Sequence, residues 1–128
     1  MEKPDYKLGL LKIPVTDVEH SAKFYEEILH LELGFVVPEY GWAQMKAGET
    51  DLALYVPGKG GGERQIGGNV DFHLVLEPRD FDELAPTLKD AGHLSENIIH
   101  TGNDGSTFID VYDPDKNIIK VLRKRQPK

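Results

Sequence analysis

Val15-Thr16-Asp17-Val18-Glu19 and Pro78-Arg79-Asp80-Phe81-Asp82 lie 63 residues apart, and each stands where an apolar, strand-like run passes into a helix-like one. A repeat at that period constrains the fold more than any single motif, because each copy is a supersecondary unit that cannot bury its apolar face alone. The first copy opens with Leu8 to Val15, a strand with Pro14 near its end, where a missing N–H matters least. Thr16, with Glu19 three residues on, has capping-box spacing. Val18, Ala22, Tyr25 and Leu29 then recur at helical period as far as His30. Phe35 to Val37, Trp42 to Lys46 and Leu52 to Val56 follow as short strands, with Pro38, Gly41 and Gly48-Glu49-Thr50 as turns.

The pattern then restarts. Val70 to Glu77 reads as a strand, Asp80 with Glu83 as a second cap, and Phe81, Leu84, Leu88 and Ala91 as a helical stripe stopped by Gly92. Pro86 predicts a helix that starts late or bends, since a proline beyond the first turn loses a hydrogen bond and clashes. Ile98 to Thr101, Phe108 to Tyr112 and Asn117 to Arg123 complete the set. The expectation is an α+β fold: two βαβββ repeats forming a curved mixed sheet around a cup-shaped cavity, where a small ligand would sit. All 128 residues make one domain, with repeat one over about 6–56 and repeat two over about 70–124. Between them, 57–69 carries Pro57 and six glycines and reads as a linker, a lid, or both.

Charge and composition narrow the function. Fifteen basic against twenty-two acidic side chains give −7, which argues against nucleic acid and suits an organic or cationic ligand. The basic tail Arg123, Lys124, Arg125 and Lys128 reads as a solvated terminus. With no cysteine, disulfides, thiolate metal sites and a cysteine nucleophile are excluded. No apolar run approaches the ~20 residues of a membrane helix, and a cytoplasmic location is expected.

Ile13-Pro14-Val15-Thr16-Asp17 leading into Ala22-Lys23-Phe24-Tyr25, then Leu31-Glu32-Leu33-Gly34-Phe35, and finally Asp113-Pro114-Asp115-Lys116-Asn117 resemble the vicinal-oxygen-chelate superfamily of glyoxalases, bleomycin-resistance proteins and extradiol dioxygenases. The order and spacing match over nearly the whole chain. Relatives read Asp-Pro-Asp-Gly-Asn in the last motif, so Lys116 must avoid or tolerate a left-handed backbone there.

The resemblance implies a divalent metal held by one residue from each of four strands. Carried over by spacing, these positions are Leu10, about Leu54, Asp71 and Lys120. Two leucines and an ammonium cannot serve. His73 is the further candidate on the faces involved, with His100 or Asp110 as recruits. No metal and no cofactor are therefore expected. The cup would instead hold Lys12, Asp71, His73, Asp110 and Lys120, with Lys120 buried and paired to Asp71 or Asp110 near the metal's place. The pattern is closest to the metal-free bleomycin-resistance proteins, on the strength of Lys120 and of Gly41-Trp42 followed by Gly48. Trp42, Tyr40 and Tyr55 offer flat surfaces for stacking.

The expected ligand-binding residues are thus Lys12, Trp42, Leu54, Asp71, His73, Asp110 and Lys120, in a small-molecule-binding protein that forms a homodimer. No catalytic residue is assigned, and the residues favour binding over enzymic activity. A metal-dependent lyase or dioxygenase with an atypical site is the alternative, and a purely structural or interaction protein the third reading.

Overall fold

Asp17 starts the first helix: its carboxylate accepts from the backbone N–H groups of Glu19 at 3.0 Å and His20 at 3.2 Å. The expected cap, Thr16, lies one residue too early, and an acid at this place also complements the helix dipole. In this computed structural model, which describes residues 2–60, 62 and 64–125, the chain divides into two compact units, Met1–Gln65 and Ile66–Lys128.

The first unit runs β1 (Leu10–Pro14), α1 (Val18–Glu27), β2 (Glu32–Val37), a 3-10 turn (Pro38–Tyr40), β3 (Trp42–Ala47) and β4 (Thr50–Tyr55). Its sheet order is β1-β4-β3-β2. β1 runs parallel to β4, and the other pairings are antiparallel. Ile13, Leu52, Leu54, Ala43 and Met45 form one buried face with Val18, Ala22 and Tyr25 of α1.

The second unit runs β5 (Gly68–Leu76), α2 (Pro78–Asp90), β6 (His100–Thr101), β7 (Thr107–Tyr112) and β8 (Asn117–Arg123). Its order, β5-β8-β7-β6, repeats that of the first sheet. Ile109, Val111, Ile119 and Val121 are buried with Phe81, Ala85 and Leu88 of α2. The repeat of two mixed four-stranded sheets, each with one helix, is what the sequence periodicity predicts.

The two helices start differently. α2 begins at Pro78, earlier than expected, because a proline in the first helical position arrives with its φ already set and has no N–H to satisfy. Asp80 therefore lies inside the helix, and Pro86 is accommodated within it. The glycine-rich segment also departs from a plain linker. Gly60 packs on the Gly41 carbonyl and Tyr55, and Gly62 on the Tyr55 ring, so closely that a side chain at either place would collide. These glycines permit close approach as well as freedom. Gly61 and Glu63 of that segment lie outside the described residues.

The basic end of the chain is engaged. Arg123 pairs with Asp82 of α2 at 2.9 Å, Lys124 with Glu77 at 3.1 Å and Arg125 with Asp104 at 2.6 Å. Lys128 lies outside the described residues. Among those residues no helix is long and apolar enough to cross a membrane.

Candidate ligand-binding site

Strand register decides which side chains share a face. β1 meets β4 with Leu10 beside Asp51, Lys12 beside Ala53 and Pro14 beside Tyr55. β3 sets Trp42 beside Tyr55 and Gln44 beside Ala53, and β2 adds Val37 beside Trp42 and Phe35 beside Gln44. The open face of the first sheet therefore carries Lys12, Trp42, Tyr55, Phe35 and Val37. Leu54 does not belong to it. It pairs with Ile13 and Ala43 on the helix-covered face and is fully buried. Leu54 lies one residue from Ala53 and Tyr55, the open-face positions of β4, and a one-residue step turns a strand side chain to the opposite face.

On the open face the Lys12 ammonium lies 4.7 Å from the Tyr55 ring centroid and 5.9 Å from that of Trp42. The Trp42 indole N–H donates to Gln44 Oε1 at 3.0 Å, and Gln44 Nε2 donates to Asp51 at 2.6 Å. The indole plane is thus held by a chain of side-chain hydrogen bonds. Beside it opens a groove of about 560 Å³ lined by Phe35, Val37, Tyr40, Trp42, Lys59 and Gly60. The size suits a small organic molecule. Phe35 is 50% and Tyr40 70% exposed, so two aromatic rings stand in water at its edge. Phe35, Val37, Lys59 and Gly60 were not among the expected site residues. The alternation Phe35-x-Val37 was a usable signal, since residues two apart share a face. Lys59 and Gly60 carried none, because a loop enters a site only through tertiary packing.

In the second unit, Asp110 and Lys120 face each other across β7 and β8, with Lys120 Nζ 3.1 Å from Asp110 Oδ1. The same ammonium lies 3.8 Å from the Phe108 ring centroid. His100 stacks on Phe108 with centroids 4.9 Å apart, and its Nε2 is 3.3 Å from Glu96. His73 is the register neighbour of Lys120 on β5, and both it and Asp71 are exposed. Asp71 falls where the β5–β8 register shifts, between Asn69 and His73. Lys120 is not buried as expected: its side chain is 32% exposed and that of Asp110 18%.

These side chains do not fit a divalent metal. Leu10 has no donor, Leu54 is on the wrong face, and the Leu10 neighbour on β4, Asp51, already accepts from Gln44. The fourth position is an ammonium bonded to a carboxylate. Among the described residues no three His, Asp or Glu side chains gather as a metal would require.

Paired βαβββ units of this order, each with its parallel β1–β4 type pairing, define the vicinal-oxygen-chelate class of fold. The chain belongs to the Glyoxalase/Bleomycin resistance protein/Dioxygenase superfamily, whose family model matches residues 7–121. Its fold is similar to that of a lactoylglutathione lyase from Agrobacterium tumefaciens, with TM-score 0.79, 18% identity, and coverage of 94% of this chain and 96% of that one. A superfamily member from Sphaerobacter thermophilus DSM 20745 gives 0.75 at 24% identity, covering 94% and 98%. TioX from Micromonospora sp. ML1 gives 0.69 at 15%, covering 92% and 98%. No curated protein sequence matches the chain.

Proposed function

We propose that this chain is a metal-independent member of its superfamily that binds and sequesters a small organic molecule in the cytoplasm, working as a homodimer. One feature carries the reading above the others: an open, aromatic-lined groove beside Trp42, whose indole is held in place by Gln44 before any ligand arrives. Preorganised flat surfaces of this kind bind without having to be ordered first. Metal independence is supported by Lys120, whose ammonium answers Asp110 where the metal enzymes of the family supply a carboxylate. The bleomycin-resistance pattern of Lys120 with Gly41-Trp42 points the same way, and dimerisation rests on the family resemblance alone.

Two measurements test this. Elemental analysis of the purified protein is expected to find no stoichiometric Zn, Ni, Mn or Fe, and a chelator is expected to leave the melting temperature unchanged. One equivalent of tightly held transition metal would instead favour a lyase or dioxygenase with an atypical site. A thermal-shift screen of aromatic compounds is expected to raise the melting temperature, because a ligand specific to the folded state stabilises it. A screen without a hit would favour a structural role. Sedimentation is expected to give twice the 14.4 kDa chain mass.

A further inference from the structure

We propose that the groove on the open face of the first sheet takes a planar, apolar organic anion, its ring among Phe35, Tyr40 and Trp42 and its acidic group at the Lys59 ammonium; this rests on the groove being a binding site at all. Five of the six lining residues, Phe35, Val37, Tyr40, Trp42 and Gly60, bring no charge, and the sixth is Lys59. Among the described residues no aspartate or glutamate lines it. Glu39, on the same 3-10 turn as Tyr40, is exposed and is not part of the lining. Asp51, the nearest acid in this sheet's register, lies beside Lys46 at 4.0 Å and accepts from Gln44.

A cationic guest would have to rely on the aromatic faces. Those of Trp42 and Tyr55 already lie under the Lys12 ammonium. A second cation there would meet that charge across a short distance. Among the described residues Lys59 has no carboxylate partner, so an incoming anion displaces none. The net charge of −7 favours cations at long range. Salt screens that field within about 8–10 Å at physiological ionic strength. Contact selectivity then falls to the side chains in the groove, and their sign is positive.

Three probes with one ring system separate the possibilities: naphthalene-2-carboxylate, naphthalene-2-carboxamide and 2-naphthylmethylammonium. The chain has one tryptophan, so the indole N–H cross-peak of Trp42 in a nitrogen-15 NMR titration reports the site directly. The carboxylate is expected to bind most tightly, the amide next and the ammonium least. Lys59→Gln is expected to weaken the carboxylate about three- to tenfold, the scale of an ion pair partly shielded from water, and to leave the amide unchanged. Lys59→Arg is expected to keep the carboxylate affinity. Raising salt is expected to weaken the carboxylate alone. If the ammonium binds as tightly as the carboxylate, or if Lys59→Gln changes nothing, the anion assignment is overturned while the groove stands. If none of the three moves the Trp42 signal, the groove reading falls and this inference falls with it.

Discussion

Asp110 and Lys120 sit directly opposite each other on β7 and β8, and the ammonium lies 3.1 Å from the carboxylate while also resting on the Phe108 ring. The sheet itself supplies this juxtaposition: register neighbours on one face bring their Cβ atoms within about 5.5 Å. Holding the pair together thus requires little ordering beyond the ladder, which raises its worth above that of a chance surface contact.

Half-burial sets the size of the effect. Lys120→Met keeps most of the volume and removes the charge. Exposed pairs are worth about 0–1 kcal/mol and the breaking of buried ones about 3–5. With side chains 32% and 18% exposed, a loss of about 1–2 kcal/mol is expected. Urea unfolding near neutral pH measures it. Adding Asp110→Asn is expected to recover part of the loss, whereas adding Asp71→Asn is not. Rescue by Asp71→Asn alone would identify the wrong partner here.

Lys116 holds φ at +64°, the left-handed conformation where relatives carry glycine. Its ammonium lies 4.8 Å from the Tyr112 ring, a contact that offsets part of the strain. Alanine would keep the strain without the contact. Lys116→Gly is therefore expected to be at least as stable as the natural chain and more stable than Lys116→Ala by about 1 kcal/mol. Equal urea midpoints for the glycine and alanine variants would contradict the backbone assignment.

Gly60 tests whether the loop after β4 is seated. A Cβ there would run into the Gly41 carbonyl and lie 2.9 Å from Tyr55 Cβ. Gly60→Ala is expected to lose about 1–3 kcal/mol by overpacking and to disturb the groove that it lines. Gly9→Ala, with nothing within 4 Å, is the neutral control. Similar melting temperatures for the two variants would mean that the loop moves aside freely.

Acid stability gives a signed prediction. The side-chain hydrogen bond from Arg123 holds the Asp82 carboxyl below its ordinary value of 3.8. In the window below that value the unfolded chain binds the proton first, so stability rises with pH through it. The contribution is fully present above the unfolded value and is lost as pH falls through the lower folded one. Asp82→Asn is expected to flatten the decline in urea midpoint as pH falls below about 4. An unchanged slope would show that this surface clasp between α2 and β8 does not couple to folding.

The sequence alone was enough to establish the repeated βαβββ order, because alternation, helical period and turn residues are local properties of the chain. It also narrowed the partner of Lys120 to Asp71 or Asp110, and the β7–β8 register, which sets Asp110 opposite Lys120, decides between them. The face on which Leu54 lies was beyond it. Leu52, Ala53, Leu54 and Tyr55 are all buried, so β4 shows no alternation from which a face could be read. Only hydrogen bonding to β1 and β3 selects the register, and a one-residue slip reverses every side chain. The cap at Asp17 in place of Thr16 turned on where the backbone leaves the extended region, at Asp17 with φ −140° and ψ 111°, which the two residue types do not settle. Lys59 and Gly60 reached the groove because Gly60 fits against Gly41 and Tyr55, residues distant in sequence or on another strand. Such contacts are fixed by tertiary packing, where shape at the tenth-of-an-ångström scale decides what no pattern of residue types encodes.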